Sequence, residues 1–208
     1  NYYIWTIGCQ MNKAESERLA ACFERLGYKL VASEEEADLV IVNTCSVRTG
    51  AEQRAIGRIT NINRIKKWRR PGMILCLAGC IAQQRGEEIA TRFPFIDLVV
   101  GTRDFVNIPH LVEQVRASGN QIVAISNIHH PLELGVPHTI QKHPVRAEVT
   151  IIYGCNNFCS YCIVPYVRGR EQSRPPEEIL AEINSLVEQG YREIILLGQN
   201  VNAYNYNG

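Results

Sequence analysis

The sequence predicts an α/β protein, with an amino-terminal open parallel sheet covered by helices on both faces over residues 1–117 and the beginning of a (β/α) partial barrel from residue 145. Three observations carry this expectation. Short, nearly continuous apolar runs alternate with longer segments whose apolar residues recur at helical spacing. That rhythm stops over residues 118–144, where Pro131, Pro137 and Pro144 accompany four of the five histidines, as in a linker or irregular crossover. A strand, a cysteine-rich loop, a helix and a second strand then follow from Val145 to Gly198.

In order along the chain, YYIWTI (2–7) is a strand, and a helix over about 13–26 puts Leu19, Cys22, Phe23 and Leu26 on one face. DLVIVNT (38–44) has the unbroken apolar character of a strand buried on both sides. A helix over 49–68 precedes the strand GMILCLAG (72–79), and a helix near 83–91 precedes the strand FIDLVVG (95–101). A helix over 104–117 ends the first unit. After the proposed linker come the strand VRAEVTIIY, a helix over 176–189 with Ser173 as its cap and Pro175 in its first turn, and the strand REIILLG (192–198). One βα unit and a strand cannot close an eightfold barrel, so the 208 residues are expected to be part of a longer protein.

Composition is that of an ordinary globular chain, 46% apolar and 21% charged with a formal net charge of +1, which neither demands nor excludes a nucleic-acid partner. No run approaches the roughly 20 apolar residues of a membrane span, and NYYIWTIGCQ lacks the features of a signal peptide. The expectation is a cytoplasmic monomer with no membrane partner. In that compartment eight cysteines point to metal or redox chemistry rather than to a disulfide framework.

Six of those cysteines fall into two sets. GCNNFCSYC places Cys155, Cys159 and Cys162 in a Cys-x3-Cys-x2-Cys run directly after a strand, close enough for three thiolates to converge on one metal centre. Three ligands on a four-iron cube leave one iron open to a small molecule. Zinc with a remote fourth ligand and free thiols are the alternatives. Cys9, Cys45 and Cys80 each follow a predicted strand, in TIGCQMN, NTCSVR and LAGCIAQ, and so collect at the edge where open α/β sheets bind ligands. A second metal locus, structural cysteines and a redox pair all fit that placement. Cys22 and Cys76 read as small buried hydrophobes.

The cysteine loop, including Tyr161 before its last cysteine, resembles the signature of the radical S-adenosylmethionine superfamily. TIGCQMNKAESE, NTCSVR, GCIAQ, YGCNNFCSYCIVPYVRG, SRPPEEIL and LLGQNVNAY extend the resemblance along almost the whole chain, to the methylthiotransferase family. The resemblance implies two 4Fe-4S clusters, one on Cys155, Cys159 and Cys162 that binds and reductively cleaves S-adenosyl-L-methionine, and an auxiliary one on Cys9, Cys45 and Cys80. It also implies a methylthio group installed at a carbon through a substrate radical, and a reducing electron donor. GCQMN, VPYVRG and GQNVNAY resemble the branch that converts N6-isopentenyladenosine beside the anticodon, with the tRNA anticodon stem-loop as partner. Branches acting on threonylcarbamoyl-adenosine tRNA or a ribosomal-protein aspartate are the neighbours, and a non-enzymatic metal-binding RNA module is the alternative outside the family.

No side chain is assigned as a catalytic acid or base. Tyr161, Gln199 and Asn200 are candidate cofactor contacts, the last two also suited to capping the loop after a strand. Arg168 and Arg170 are candidate contacts for the cofactor carboxylate or an RNA phosphate, or ordinary surface residues. In RITNINRIKKWRRPG the basic residues Arg58, Arg64, Lys66, Lys67, Arg69 and Arg70 make a phosphate-binding helix end or a solvated one, and Lys66, Lys67 and Arg70 are taken as candidate substrate contacts. Trp68 reads as a packing residue, and the histidines 129, 130, 138 and 143 do not form a ligand cage.

Overall fold

Strands and helices alternate because the apolar runs are buried on both sides. The computed structural model describes residues 1–46, 50–126 and 145–207. A five-stranded, wholly parallel sheet runs in the order β1 (Tyr2–Thr6), β2 (Leu39–Thr44), β3 (Ile74–Gly79), β4 (Leu98–Val100) and β5 (Ile122–Ala124). Every residue of β2 and β3 is buried. Alternate side chains serve opposite faces, as the pleat requires. Leu39, Ile41, Cys76, Ala78 and Leu98 pack with helices α1 (Gln10–Arg25) and α4 (Ile108–Ser118). Val40, Val42, Leu75, Leu77 and Val99 pack on the other side with α2 (Ala51–Trp68) and α3 (Cys80–Arg92).

The second unit pairs β6 (Arg146–Thr150) in parallel with β9 (Glu193–Leu197) and sets α6 (Pro176–Glu188) against them. Its strand breaks after Thr150. Ile152–Tyr153 forms a separate β7, antiparallel to β8 (Gln172–Ser173), with the short α5 (Val164–Arg168) between them. This is the expected fold class, an open parallel sheet followed by the start of a (β/α) barrel.

Several local expectations are corrected. β5 lies within the stretch read as linker; three residues carry no periodic signal, and pairing with β4 makes them a strand. Helix α1 ends at Arg25, so Leu26 sits past its last turn and is exposed. Helix α3 begins at Cys80 rather than 83, because Gly79 at φ +98° turns the chain straight from strand to helix. Trp68 is 76% exposed, with Lys67 over its ring rather than a packing partner. Pro175 occupies the N-cap of α6, while the Ser173 hydroxyl accepts the Asn205 N–H at 3.0 Å. The four linker histidines lie outside the described residues. No helix among the described residues is long and apolar enough to cross a membrane.

Candidate functional site at the carboxyl ends of the strands

The parallel sheet delivers Cys9, Cys45 and Cys80 to one edge, since each directly follows or lies just beyond the carboxyl end of β1, β2 or β3. Cys9 begins α1, its backbone N–H and its thiol both reaching Asn12 Oδ1 at 3.2 Å. Close backbone approach brings the others in. A Cβ on Gly8 would stand 2.9 Å from Cys45 Cβ, and one on Gly79 would collide with the Thr44 carbonyl. Asn12 is fully buried beneath the thiols, donating to Asn43 Oδ1 at 3.1 Å and to the Thr44 carbonyl at 3.0 Å. Asn43 donates in return to the Asn12 carbonyl and to Ser16 Oγ, both at 2.9 Å. The strand ends are thereby locked to α1 without an unpaired amide.

The thiols interact with one another. A hydrogen bond with the Cys45 thiol, and burial after it, push the Cys9 thiol far above its ordinary range. Burial pushes the Cys80 thiol up, opposed by the Arg168 guanidinium, which also hydrogen-bonds it. Among the described residues no three thiol, imidazole or carboxylate groups close on a point as the ligands of one metal ion would. The donor set is still the soft, all-thiol one that suits iron-sulfur ligation, held in a cradle that a Cβ at Gly8 or Gly79 would fill.

The second cysteine loop lies between β7 and α5. Cys155 is buried, its N–H donating to the Gly169 carbonyl at 3.1 Å. Gly154, at φ +69°, passes so close to the carbonyls of Gly169 and Arg170 that no side chain fits there. Cys162 N–H donates to the Cys159 carbonyl at 2.9 Å, while the Cys159 side chain faces solvent. Phe158 is held at φ +45°, an uncommon conformation for an aromatic residue, with Arg170 4.2 Å above its ring and Tyr166 edge-on at 5.7 Å. Asn156 and Glu171 clamp the loop reciprocally, the Asn156 N–H donating to Glu171 Oε1 at 3.0 Å and the Glu171 N–H to Asn156 Oδ1 at 3.2 Å. Tyr161 is 90% exposed, and Gln199 and Asn200 follow β9, half-buried, with Asn200 capping the short 201–203 turn.

Arg168 is not a surface residue. It is 5% exposed and forks onto Glu15 of α1, Nη1 donating to Oε1 at 2.5 Å and Nη2 to Oε2 at 3.1 Å. Burial alone would favour the neutral guanidine, but the Glu15 carboxylate outweighs it and keeps Arg168 charged. A second buried cluster lies alongside. Arg18 donates to Tyr153 Oη at 2.7 Å and to Glu182 at 3.1 Å, and Arg174 reaches the same carboxylate at 2.7 Å.

The basic helix end is elsewhere. Lys66 is ion-paired with Asp97 and donates to the Phe95 carbonyl at 3.1 Å, and Arg70 reaches Asp38 at 2.8 Å. Asp97 and Asp38 precede β4 and β2, at the amino ends of the strands. The structure therefore puts Lys66 and Arg70 in ion pairs at the sheet edge opposite the cysteines, whereas the Lys67 ammonium rests on the Trp68 ring, 5.2 Å from its centre.

Residues 1–101 match the uncharacterized protein family UPF0004, and residues 149–208 match the radical SAM superfamily. Over 205 residues the chain is 45% identical to the tRNA-2-methylthio-N(6)-dimethylallyladenosine synthase of Clostridium novyi (strain NT), covering 98% of this chain and 45% of that protein. The chain belongs to the methylthiotransferase family of radical S-adenosylmethionine proteins. Proteins of the same name from Clostridium botulinum (strain Alaska E43 / Type E3) and Dictyoglomus thermophilum are 46% and 43% identical, each over 98% of this chain. The chain spans about half the length of these methylthiotransferases, 44% and 46% respectively. Two structures of the radical S-adenosylmethionine methyltransferase TsrM from Kitasatospora setae share the fold. One holds tryptophan and an S-adenosylmethionine analogue, the other cobalamin and a [4Fe-4S] cluster, and their TM-scores are 0.62 and 0.60. Each covers 97% of this chain, with the chain matching 48% and 49% of theirs, at 14% identity.

Asn12, Glu15 and Arg18 are the residues that sequence reasoning passed over. Their spacing of three along α1 was the available signal, but on a helix such a polar stripe ordinarily faces water. Here Asn12 meets the end of β2, and the second unit covers Glu15 and Arg18.

Proposed function

We propose that the chain supplies the cluster-binding loops of a tRNA methylthiotransferase that converts N6-isopentenyladenosine beside the anticodon to its 2-methylthio derivative. In this proposal residues 1–117, with β5 added to their sheet, form the methylthiotransferase domain, the remainder of 118–144 is the linker and 145–208 start the radical domain. Cys155, Cys159 and Cys162 hold one 4Fe-4S cluster and Cys9, Cys45 and Cys80 the other. When bound, the two clusters supply one-electron cleavage of S-adenosylmethionine and a place for the sulfur that is transferred.

The chain's own residues do the placing. Gly8 and Gly79 admit close backbone approach, Asn12 and Asn43 fix the strand ends, and the Gly154 turn presents the second loop. Tyr161 within that loop, and Gln199 and Asn200 after β9, serve as cofactor contacts, and Arg170 and Lys67 offer cations to RNA. The protein would work in the cytoplasm with a reducing electron donor. The observation that carries this proposal is the identity of 43–46% along 98% of the chain to relatives that share this name.

Iron and acid-labile sulfide after anaerobic reconstitution test it, together with mass analysis of tRNA nucleosides after incubation with reductant and S-adenosylmethionine. About eight irons and eight sulfides support two four-iron clusters, whereas about four would remove the auxiliary one. Methylthio transfer to threonylcarbamoyl-adenosine or to protein instead would move the enzyme to a neighbouring branch.

A further inference from the structure

Arg168 touches the surroundings of both cysteine sets. It ends α5, six residues after Cys162, and the carbonyl of the next residue, Gly169, accepts the Cys155 N–H at 3.1 Å. Its side chain crosses into the other unit and forks onto Glu15, one and a half turns along the helix that Cys9 begins. Both partners are almost fully enclosed, their side chains 6% and 4% exposed. Neighbouring ties hold the same seam: the Thr102 hydroxyl donates to the Val167 carbonyl, and Arg18 bonds Tyr153 Oη.

We propose that Arg168 is a positioning residue that ties the two cysteine sets together: the adjoining Gly169 carbonyl anchors the Cys155 loop, while the Arg168 guanidinium, held by Glu15, stands as a fixed cation beside the Cys9, Cys45 and Cys80 edge. This rests on the proposed assignment of that edge to a cluster. A planar fork on a carboxylate fixes both distance and orientation, which a lysine cannot reproduce. A buried cation also favours the more negative, reduced state of any cluster beside it, because screening is weak there.

The charge pattern makes the role separable from packing. In the reconstituted chain carrying Cys155→Ala, Cys159→Ala and Cys162→Ala, only the Cys9, Cys45 and Cys80 edge can hold a cluster, and its midpoint potential is read by redox titration with electron paramagnetic resonance. Arg168→Met removes the cation and should make reduction about tenfold less favourable, a shift of about 59 mV to more negative potential for one electron. Glu15→Gln removes the anion and should shift the potential the other way. Arg168→Lys, which keeps the charge but loses the fork, should shift the potential in the same direction as Arg168→Met and by less, and the double variant Glu15→Gln/Arg168→Met, which leaves no unpaired charge to unfold the site, should fall between the singles. Shifts of one sign in both singles, or none, overturn the proposal while leaving the cluster assignment intact. A parent that binds no iron overturns the cluster assignment, and the proposal with it.

Discussion

Replacing Glu182 by glutamine should loosen the join between the two units. The carboxylate lies between two guanidiniums, Arg18 Nη2 at 3.1 Å and Arg174 Nη1 at 2.7 Å, and the three side chains are 7%, 7% and 2% exposed. Each pair at about 3 Å is attracted by roughly 5 kcal/mol at an effective dielectric constant of about 20, most of which offsets the desolvation of the charges. Glutamine keeps one acceptor but cancels the negative charge, leaving two buried cations facing each other. Breaking a buried pair in this way costs about 3–5 kcal/mol, a large part of a typical stability of about 5–15 kcal/mol. The assay is urea unfolding of the metal-free chain, compared with Glu193→Gln. That second substitution breaks an ion pair of 3.0 Å whose side chains are 43% and 47% exposed, so it should cost less than about 1 kcal/mol. Equal losses for the two variants, or a loss below about 1 kcal/mol for Glu182→Gln, would refute the buried-network reasoning.

Gly79→Ala should lose about 3 kcal/mol or more, because φ is +98° and the new methyl meets the Thr44 carbonyl; an unchanged urea midpoint would show that the strand-to-helix turn relaxes freely. Burial, and then the Asp97 carboxylate, push the Cys76 thiol well above its ordinary range, so the native state keeps a proton that the unfolded chain releases near pH 8.5. That contribution is complete below pH 8.5 and is lost as pH rises, by up to about 1.4 kcal/mol per unit; Cys76→Ala should flatten the stability–pH slope above 8.5 by this amount, and parallel slopes would contradict it. Lys66→Met should lower stability by leaving Asp97 with one cationic partner fewer, while tRNA affinity holds; the reverse outcome, measured by urea unfolding and filter binding, would return Lys66 to the substrate surface.

The parallel sheet was legible because strands buried on both faces are apolar over most of their length, as residues 39–42 and 74–78 are. The Cys155, Cys159 and Cys162 loop was legible because its cysteines are neighbours in sequence, and the placement of Cys9, Cys45 and Cys80 because parallel strands carry whatever follows them to one edge. Three-residue strands such as β5, and the switch from β6 to β7, were not, since periodicity needs more residues than they contain.

Charge was the hardest property to read from sequence. A guanidinium in VPYVRG and a carboxylate in KAESE look like solvated surface wherever they occur, and a run of lysines and arginines looks like a phosphate site. Only packing decides between these uses, because the cost of burying a charge depends on what stands within a few ångströms of it. Arg168 meets Glu15 across 153 residues of sequence, whereas Lys66 and Arg70 meet aspartates at the far edge of the sheet. The placement of the two cysteine sets was therefore inherent in the pattern of strands and loops, and the coupling between the two halves arose only when the fold enclosed α1 on both sides.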